Sequence, residues 1–350
     1  MRSVVQCGIV ALTNIKQDAL DTEYDNLQKV LKGEDAPLYS ANKQQAFRFY
    51  KRKKLREYPL SIRNDLLKIE IRDTKIAEFW VRLPVKKIRG GMWVAVKPHK
   101  PIDLGARVCE SKIIRRKGKY QLHLVLEKEV VFKKSYSNIL AIDLGSRNVA
   151  TSVAFSDGHT TFYGRDVRKI RGHFFHLRRK LGEKKALKTI KKIGRTEQRK
   201  VNDCLHKISR NIVDYAKKTD SLIVLGILQN VRKRKGQWRK KSTRKVNSMP
   251  SFKLSNMIRY KAEQEGLLVV ETYEGFTSRI CNRCIREGNR RTQGLFECSC
   301  GYSDNADRNG AINIGKRLLG NLSSIGAYVD MPEPKLWQSM TLEATYFNRC

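Results

Sequence analysis

The stretch Thr277-Ser278-Arg279-Ile280-Cys281-Asn282-Arg283-Cys284 runs through a Gly- and Arg-containing loop. It continues as Phe296-Glu297-Cys298-Ser299-Cys300-Gly301 and Asp304-Asn305-Ala306-Asp307-Arg308-Asn309-Gly310-Ala311-Ile312-Asn313-Ile314. Its four cysteines, Cys281, Cys284, Cys298 and Cys300, are spaced C-x2-C-x13-C-x-C around a polar loop, the pattern of a closed tetrahedral thiolate site for a structural zinc. Four thiolates leave no open coordination position, so the metal would staple the chain rather than act on a substrate. A redox-active pair is the competing reading, and the grouping of four disfavours it. Asp307 follows within a few residues, at the mouth of a helix expected over Asn309–Leu319.

Outward from this stretch the pattern alternates between strands and helices. Upstream lie an apolar strand Ile139–Gly145 that ends in Asp143, a second strand Val149–Phe155, a turn at Asp157-Gly158 and a third strand Thr160–Tyr163. A long basic helical region, Arg165–Lys218, comes next, then strand Ser221–Leu225, helix Ser251–Gln264 and strand Gly266–Glu271. Strand hairpin, helix, strand, helix, strand, helix is the order of an RNase H-like α/β sheet. The expected extent is 137–320, with the cysteine segment inserted at 277–303 and a tail at 321–350.

The N-terminal part has a different period. Helical spacing covers about 14–56, with Ala19, Leu20, Tyr24, Leu27, Val30 and Leu31 on one face. From Tyr58 to Val131, short alternating segments at 66–71, 79–83, 92–96, 109–114 and 120–126 are punctuated by Gly and Pro. They read as a small antiparallel β-barrel within a domain 1–136 that carries a helical insertion. The fold class is therefore mixed α+β. The apolar run Cys7–Leu12 is too short and too poorly flanked for a signal peptide, and no stretch reaches the length of a membrane span. Cys7, Cys109, Cys204 and Cys350 are scattered, as expected of a reduced, intracellular chain.

Of 350 residues, 72 are Lys or Arg and 34 Asp or Glu, a net charge of +38. Such a field calls for a polyanionic partner, and counterion release makes nucleic acid the natural one. Residues 165–200 hold 15 basic and 3 acidic side chains, and 232–245 hold 9 basic and none acidic. These runs suit contacts to phosphates rather than base reading. Asp143 alone reads as a turn residue, and Asp307 alone as a helix N-cap. An RNase H-like order brings the end of the first strand and the start of the last helix together, and convergent hard oxygen ligands are what two-metal phosphodiester hydrolysis needs.

Thr277-Ser278, Cys300-Gly301-Tyr302 and Asp307-x-Asn309-Gly310-Ala311-Ile312-Asn313-Ile314 resemble the transposon-encoded TnpB proteins, which are similar to type V CRISPR effectors and to Fanzors. The resemblance continues through Ser251-Phe252-Lys253-Leu254, Tyr260-Lys261-Ala262-Glu263, His206-Lys207-Ile208-Ser209, Ile142-Asp143-Leu144-Gly145, Ile113-Ile114-Arg115-Arg116 and Tyr58-Pro59-Leu60. It implies a wedge barrel with a helical recognition insertion, then a RuvC-type nuclease domain interrupted by a zinc ribbon. The implied activity is RNA-guided, Mg²⁺-dependent cleavage of double-stranded DNA, with a guide RNA derived from the transposon end. The place implied is the cytoplasm (nucleoid) of a prokaryote, or the nucleus of a eukaryote.

One position departs from the family. Gly226 stands at the end of Leu222-Ile223-Val224-Leu225, where the family carries its second carboxylate, a Glu. Either the nuclease is dead and the chain is a guided DNA-binding repressor, or the Glu has moved. Glu274, in Val270-Glu271-Thr272-Tyr273-Glu274-Gly275-Phe276, stands where family members carry Pro, and this resembles the rearranged site of Fanzors. Glu271 competes with it on the same strand. The expected catalytic set is Asp143, Glu274 and Asp307 around two Mg²⁺ ions, with Zn²⁺ in the ribbon. The third reading is an unguided zinc-ribbon binder of nucleic acid.

Overall fold

The computed structural model describes residues 1–51, 54–116, 118–227, 249–292 and 294–320, together with the backbone of two short strands at 328–329 and 344–347. The basic run 232–245 and most of the tail 321–350, Cys350 included, lie outside the described residues. The chain divides into two compact units between Glu129 and Val130.

The first unit is a curled, seven-stranded antiparallel half-barrel. Its elements are β1 (Arg2–Val10), α1 (Asn14–Lys32), α2 (Ser40–Tyr50), β2 (Leu60–Ile62), β3 (Lys68–Ile71), β4 (Phe79–Leu83), β5 (Met92–Pro98), β6 (Arg107–Arg116) and β7 (Lys119–Glu127). The strand order β2-β6-β7-β1-β5-β4-β3 leaves β2 and β3 as edges. Alternation builds it: along β7 Tyr120, Leu122, Leu124 and Leu126 are buried, and the residues between them are partly exposed. The run at Cys7 belongs to the central strand β1, which pairs with both β5 and β7, and Cys7 itself is buried in the core. Leu20, Tyr24 and Leu27 of α1 close the same core.

Glu23, 2% exposed, shows how a buried carboxylate can be purely structural. Its oxygens accept from Tyr39 N–H (3.0 Å), Asn42 Nδ2 (2.7 Å) and Lys86 N–H (2.9 Å), tying α1 to the start of α2 and to the loop after β4. Glu23→Leu should cost about 1–3 kcal/mol for each donor it strands, read as a lower urea midpoint.

The second unit holds β8 (Ser135–Tyr136), β9 (Asn138–Asp143), β10 (Ala150–Ala154), β11 (Thr160–Tyr163), α3 (Arg165–Glu183), α4 (Leu187–Lys218), β12 (Ser221–Ile227), α5 (Ser251–Gln264), β13 (Val269–Tyr273), β14 (Asn289–Thr292), β15 (Leu295–Glu297), β16 (Ser303–Asn305), α6 (Ala306–Leu319), β17 (Tyr328–Val329) and β18 (Ala344–Phe347). The main sheet runs β13-β12-β9-β10-β11-β18, with β9, β10 and β11 an antiparallel meander and β12 and β13 parallel to β9. The basic helical region expected over Arg165–Lys218 consists of two helices, broken at Lys184–Ala186, where Lys185 takes a positive φ. Lys261 of α5 is buried and donates to His206 O (2.6 Å) and Ser209 Oγ (2.7 Å) of α4. Burial lowers its pKa to about 8, with Arg210 adding to the shift. The β14–β15–β16 sheet carries the cysteine segment. No helix among the described residues is long and apolar enough to cross a membrane.

Candidate metal centres

Strand register assembles the carboxylates. Leu225 of β12 lies opposite Ile142 of β9, so Gly226 stands level with Asp143; across the other edge Gly226 pairs with Thr272 of β13. Glu274 N–H extends the ladder to Ile227 O at 3.3 Å. Side chains alternate along a strand, so Thr272 and Glu274 share the face of Gly226 and Asp143, while Glu271 takes the other. Glu271 is exposed and ion-paired with Arg259 of α5. Glu274 is buried, 9% exposed.

Glu274 occupies the room that Gly226 leaves. A Cβ at position 226 would stand 2.7 Å from Glu274 Oε2, 3.2 Å from its Cβ and 2.5 Å from Ile314 Cδ1. A side chain at 226 and the present position of Glu274 exclude one another. Glu274 Oε2 is buried with no hydrogen-bond partner, an oxygen of the kind a cation satisfies.

Asp307 arrives on α6. The helix is capped by Asn305, whose side-chain oxygen accepts Asp307 N–H at 2.9 Å and Arg308 N–H at 3.3 Å. Asp307 is therefore in the first turn rather than at the cap, with its carboxylate free for other partners. Its Oδ2 accepts from Asn148 Nδ2 at 2.8 Å, and its Oδ1 lies 3.7 Å from an Arg290 guanidinium nitrogen on β14. The helix passes close over Asp143, since a Cβ on Gly310 would lie 3.5 Å from Asp143 Oδ2.

The electrostatics follow from this crowding. Burial, then the charge of Asp307, raises the Asp143 pKa to about 7, with Arg290 opposing. Burial and Asp143 raise Glu274 to about 8. Burial also raises Asp307, against the Asn148 hydrogen bond and the nearby Arg290, Arg147 and Arg165. Asp143, partly exposed, repels both Asp307 and Glu274, and Glu274 carries an orphaned oxygen; carboxylates so placed are hard donors of the kind divalent cations take.

The thiolates form the tighter centre. The Sγ atoms of Cys281, Cys284, Cys298 and Cys300 all lie within 4.8 Å of one another, with Cys281–Cys300 at 3.8 Å and Cys284–Cys298 at 3.4 Å. A tetrahedron with Zn–S of 2.3 Å has an edge of about 3.8 Å, so the cluster fits zinc. The Cys300 N–H draws the Cys298 pKa down to about 6, and burial pushes Cys281 up to about 12. Two asparagines one turn apart lock α6 to this segment. Asn309 donates to Ile280 O (2.8 Å) and accepts Asn282 N–H (3.0 Å); Asn313 donates to Thr277 O (2.8 Å) and Ile280 O (2.7 Å).

The structure thus sets Asp143 beside Asp307 and beside Glu274 and turns Glu271 away; among the described residues, the four cysteines alone have ligand atoms all within 4.8 Å of one another. Asn148, Arg165 and Arg290 were not singled out from the sequence. The signal for the locking pair was present as Asn309-x3-Asn313, two poor helix formers one turn apart.

A folded-state pKa raised above the unfolded value makes ionised Glu274 destabilising. The stability it contributes is fullest below about pH 4.5 and is lost as the pH rises through 8. Without added divalent cation, Glu274→Gln should exceed wild type in Tm by a margin that widens from pH 5 to pH 9, reaching about 2–8 °C in differential scanning calorimetry.

Residues 252–314 match the family described as Cas12f1-like, TNB domain. A TnpB-like protein of Methanocaldococcus jannaschii is 29% identical over 201 residues, covering 54% of this chain and 72% of the relative. A CRISPR-associated endodeoxyribonuclease Cas12f2 of a Micrarchaeota archaeon is 28% identical over 226 residues, covering 58% of this chain and 41% of the relative. In fold, the chain is similar to the protein in a cryo-EM structure of a Cas12f1–sgRNA–target DNA complex, with a TM-score of 0.53 at 17% identity over 73% of this chain and 64% of that one.

Proposed function

We propose that this chain, which belongs to the TnpB family, is an RNA-guided DNA endonuclease of the subgroup with a relocated catalytic glutamate. Guide RNA from the transposon end and double-stranded target DNA are its partners. Asp143, Glu274 and Asp307 hold two Mg²⁺ ions, which supply activation of a water and stabilisation of the leaving 3′-oxygen. The carrying observation is the buried, unpartnered oxygen of Glu274 in the space over Gly226, beside Asp143. A dead site has no need of so costly an arrangement of carboxylates. The four cysteines hold a structural zinc. The α3–α4 pair, rich in Lys and Arg, meets phosphates, which suits a protein that leaves sequence reading to base pairing.

The test is to purify the chain from cells, sequence the RNA bound to it, and assay cutting of a matched target with Mg²⁺. Wild type and Glu271→Gln should cut; Glu274→Gln should not. Equal cutting by wild type and Glu274→Gln would sink the relocated site. Binding of matched DNA with no cutting by any form would make the chain a repressor, and absence of RNA would make it an unguided binder.

Zinc analysis adds a second check. Wild type should carry about one zinc per chain, and Cys281→Ser should lose it. Cutting should fall with the metal, because the ribbon carbonyls that Asn309 and Asn313 grip are what steady the helix bearing Asp307.

A further inference from the structure

The chain turns sharply after Asp143. A Cβ on Gly145 would stand 2.9 Å from the carbonyl oxygen of Asn148, so only glycine lets the loop Leu144–Asn148 fold this tightly. The turn buries Asn148 to 1% exposure against the first turn of α6. There Asn148 Nδ2 donates to Asp307 Oδ2 at 2.8 Å, and Asn148 Oδ1 accepts from Arg165 Nε at 3.3 Å. A guanidinium only donates and a carboxylate only accepts, so these two neighbours dictate which end of the amide faces which.

The two oxygens of Asp307 therefore stand in different surroundings. Oδ2 is held by a buried, neutral donor whose own orientation is fixed. Oδ1 faces the Arg290 guanidinium at 3.7 Å, from a side chain 35% exposed. A neutral donor fits the first position well: it restrains the carboxylate without adding positive charge that would compete with a cation, or negative charge that would raise the repulsion with Asp143.

Resting on the reading of Asp307 as a metal ligand, we propose that Asn148, oriented by Arg165, is a positioning residue that holds Oδ2 and so fixes the Asp307 carboxylate for a divalent cation. Partners that orient a ligating carboxylate commonly alter metal affinity about 10–100-fold when removed. Asn148 touches neither the reacting atoms nor the cation, so its effect should fall on cation affinity rather than on the rate at saturating cation.

The test titrates Mn²⁺ into the zinc-loaded chain, follows the EPR signal of free Mn²⁺, and uses Asp307→Asn to define binding elsewhere. Asn148→Ala should weaken the Asp307-dependent binding about 10–100-fold, with zinc content unchanged. Arg165→Lys, which keeps the positive charge near Asp307 but removes the Nε–H that Asn148 Oδ1 accepts, should weaken it in the same direction but less. In cutting assays the Mn²⁺ concentration for half-maximal rate should rise in parallel, and saturating Mn²⁺ should restore most of the rate. Unchanged Mn²⁺ affinity in both variants would overturn the role of Asn148 while leaving the metal reading standing. Should Asn148→Ala fail to fold, unchanged affinity in Arg165→Lys overturns it alone. Equal binding by wild type and Asp307→Asn would instead overturn the metal reading, and this inference with it.

Discussion

Three carboxylates crowded into a poorly solvated corner repel one another, and much of the second unit can be understood as the means of holding them there. Asp143 sits at the end of a fully buried strand, Glu274 extends the ladder of a neighbouring strand, and Asp307 lies in the first turn of a capped helix. No two come from the same element, so none can relax away without breaking a sheet register or moving a helix. The opposing charge is also placed from outside: Arg290, Arg147 and Arg165 lie near Asp307, and Arg165 also holds Asn148. The arrangement is a strained donor set of the kind that cations relieve.

The ribbon supplies what the sheet cannot. Its three short strands bury little beyond Cys281 and Phe296, packed with Ala306 at the start of α6, far too little apolar surface to fold on hydrophobic burial alone. Thiolate ligation fills that gap in domains of this size. What the ribbon gives in return is a rigid set of carbonyls for Asn309 and Asn313. Asparagines in a helix interior weaken the helix locally, and here that cost is offset by docking. Folding of the thiolate cluster and placement of Asp307 are thereby linked through hydrogen bonds rather than through direct contact between the two centres.

The lesson of Gly226 is about space. Viewed along one strand, it is a missing carboxylate. In the sheet, it is the condition for Glu274 to lie where it does, because a Cβ at 226 and the Glu274 carboxylate claim the same volume. The choice between Glu271 and Glu274 was equally open in one dimension. The pairing of Gly226 with Thr272 places residues of even offset on the face of Asp143 and leaves Glu271 to Arg259.

The sequence by itself determined what depends on local spacing and composition: the thiolate pattern, the alternating and helical segments, the excess of positive charge, and the order of strands and helices. It also carried Asp143 and Asp307, as marked ends of elements. β1 carries too weak an alternation to be read as a strand, the region 165–218 shows no mark of the break between α3 and α4, and α6 begins at Ala306 rather than at the expected Asn309. Only the tertiary structure decided which glutamate faces Asp143, why position 226 is glycine, and that Asn148 and Arg290 reach Asp307. Those outcomes rest on register and on contacts between residues distant in the chain, 159 positions for Asn148 and Asp307, and such contacts leave no trace in local periodicity.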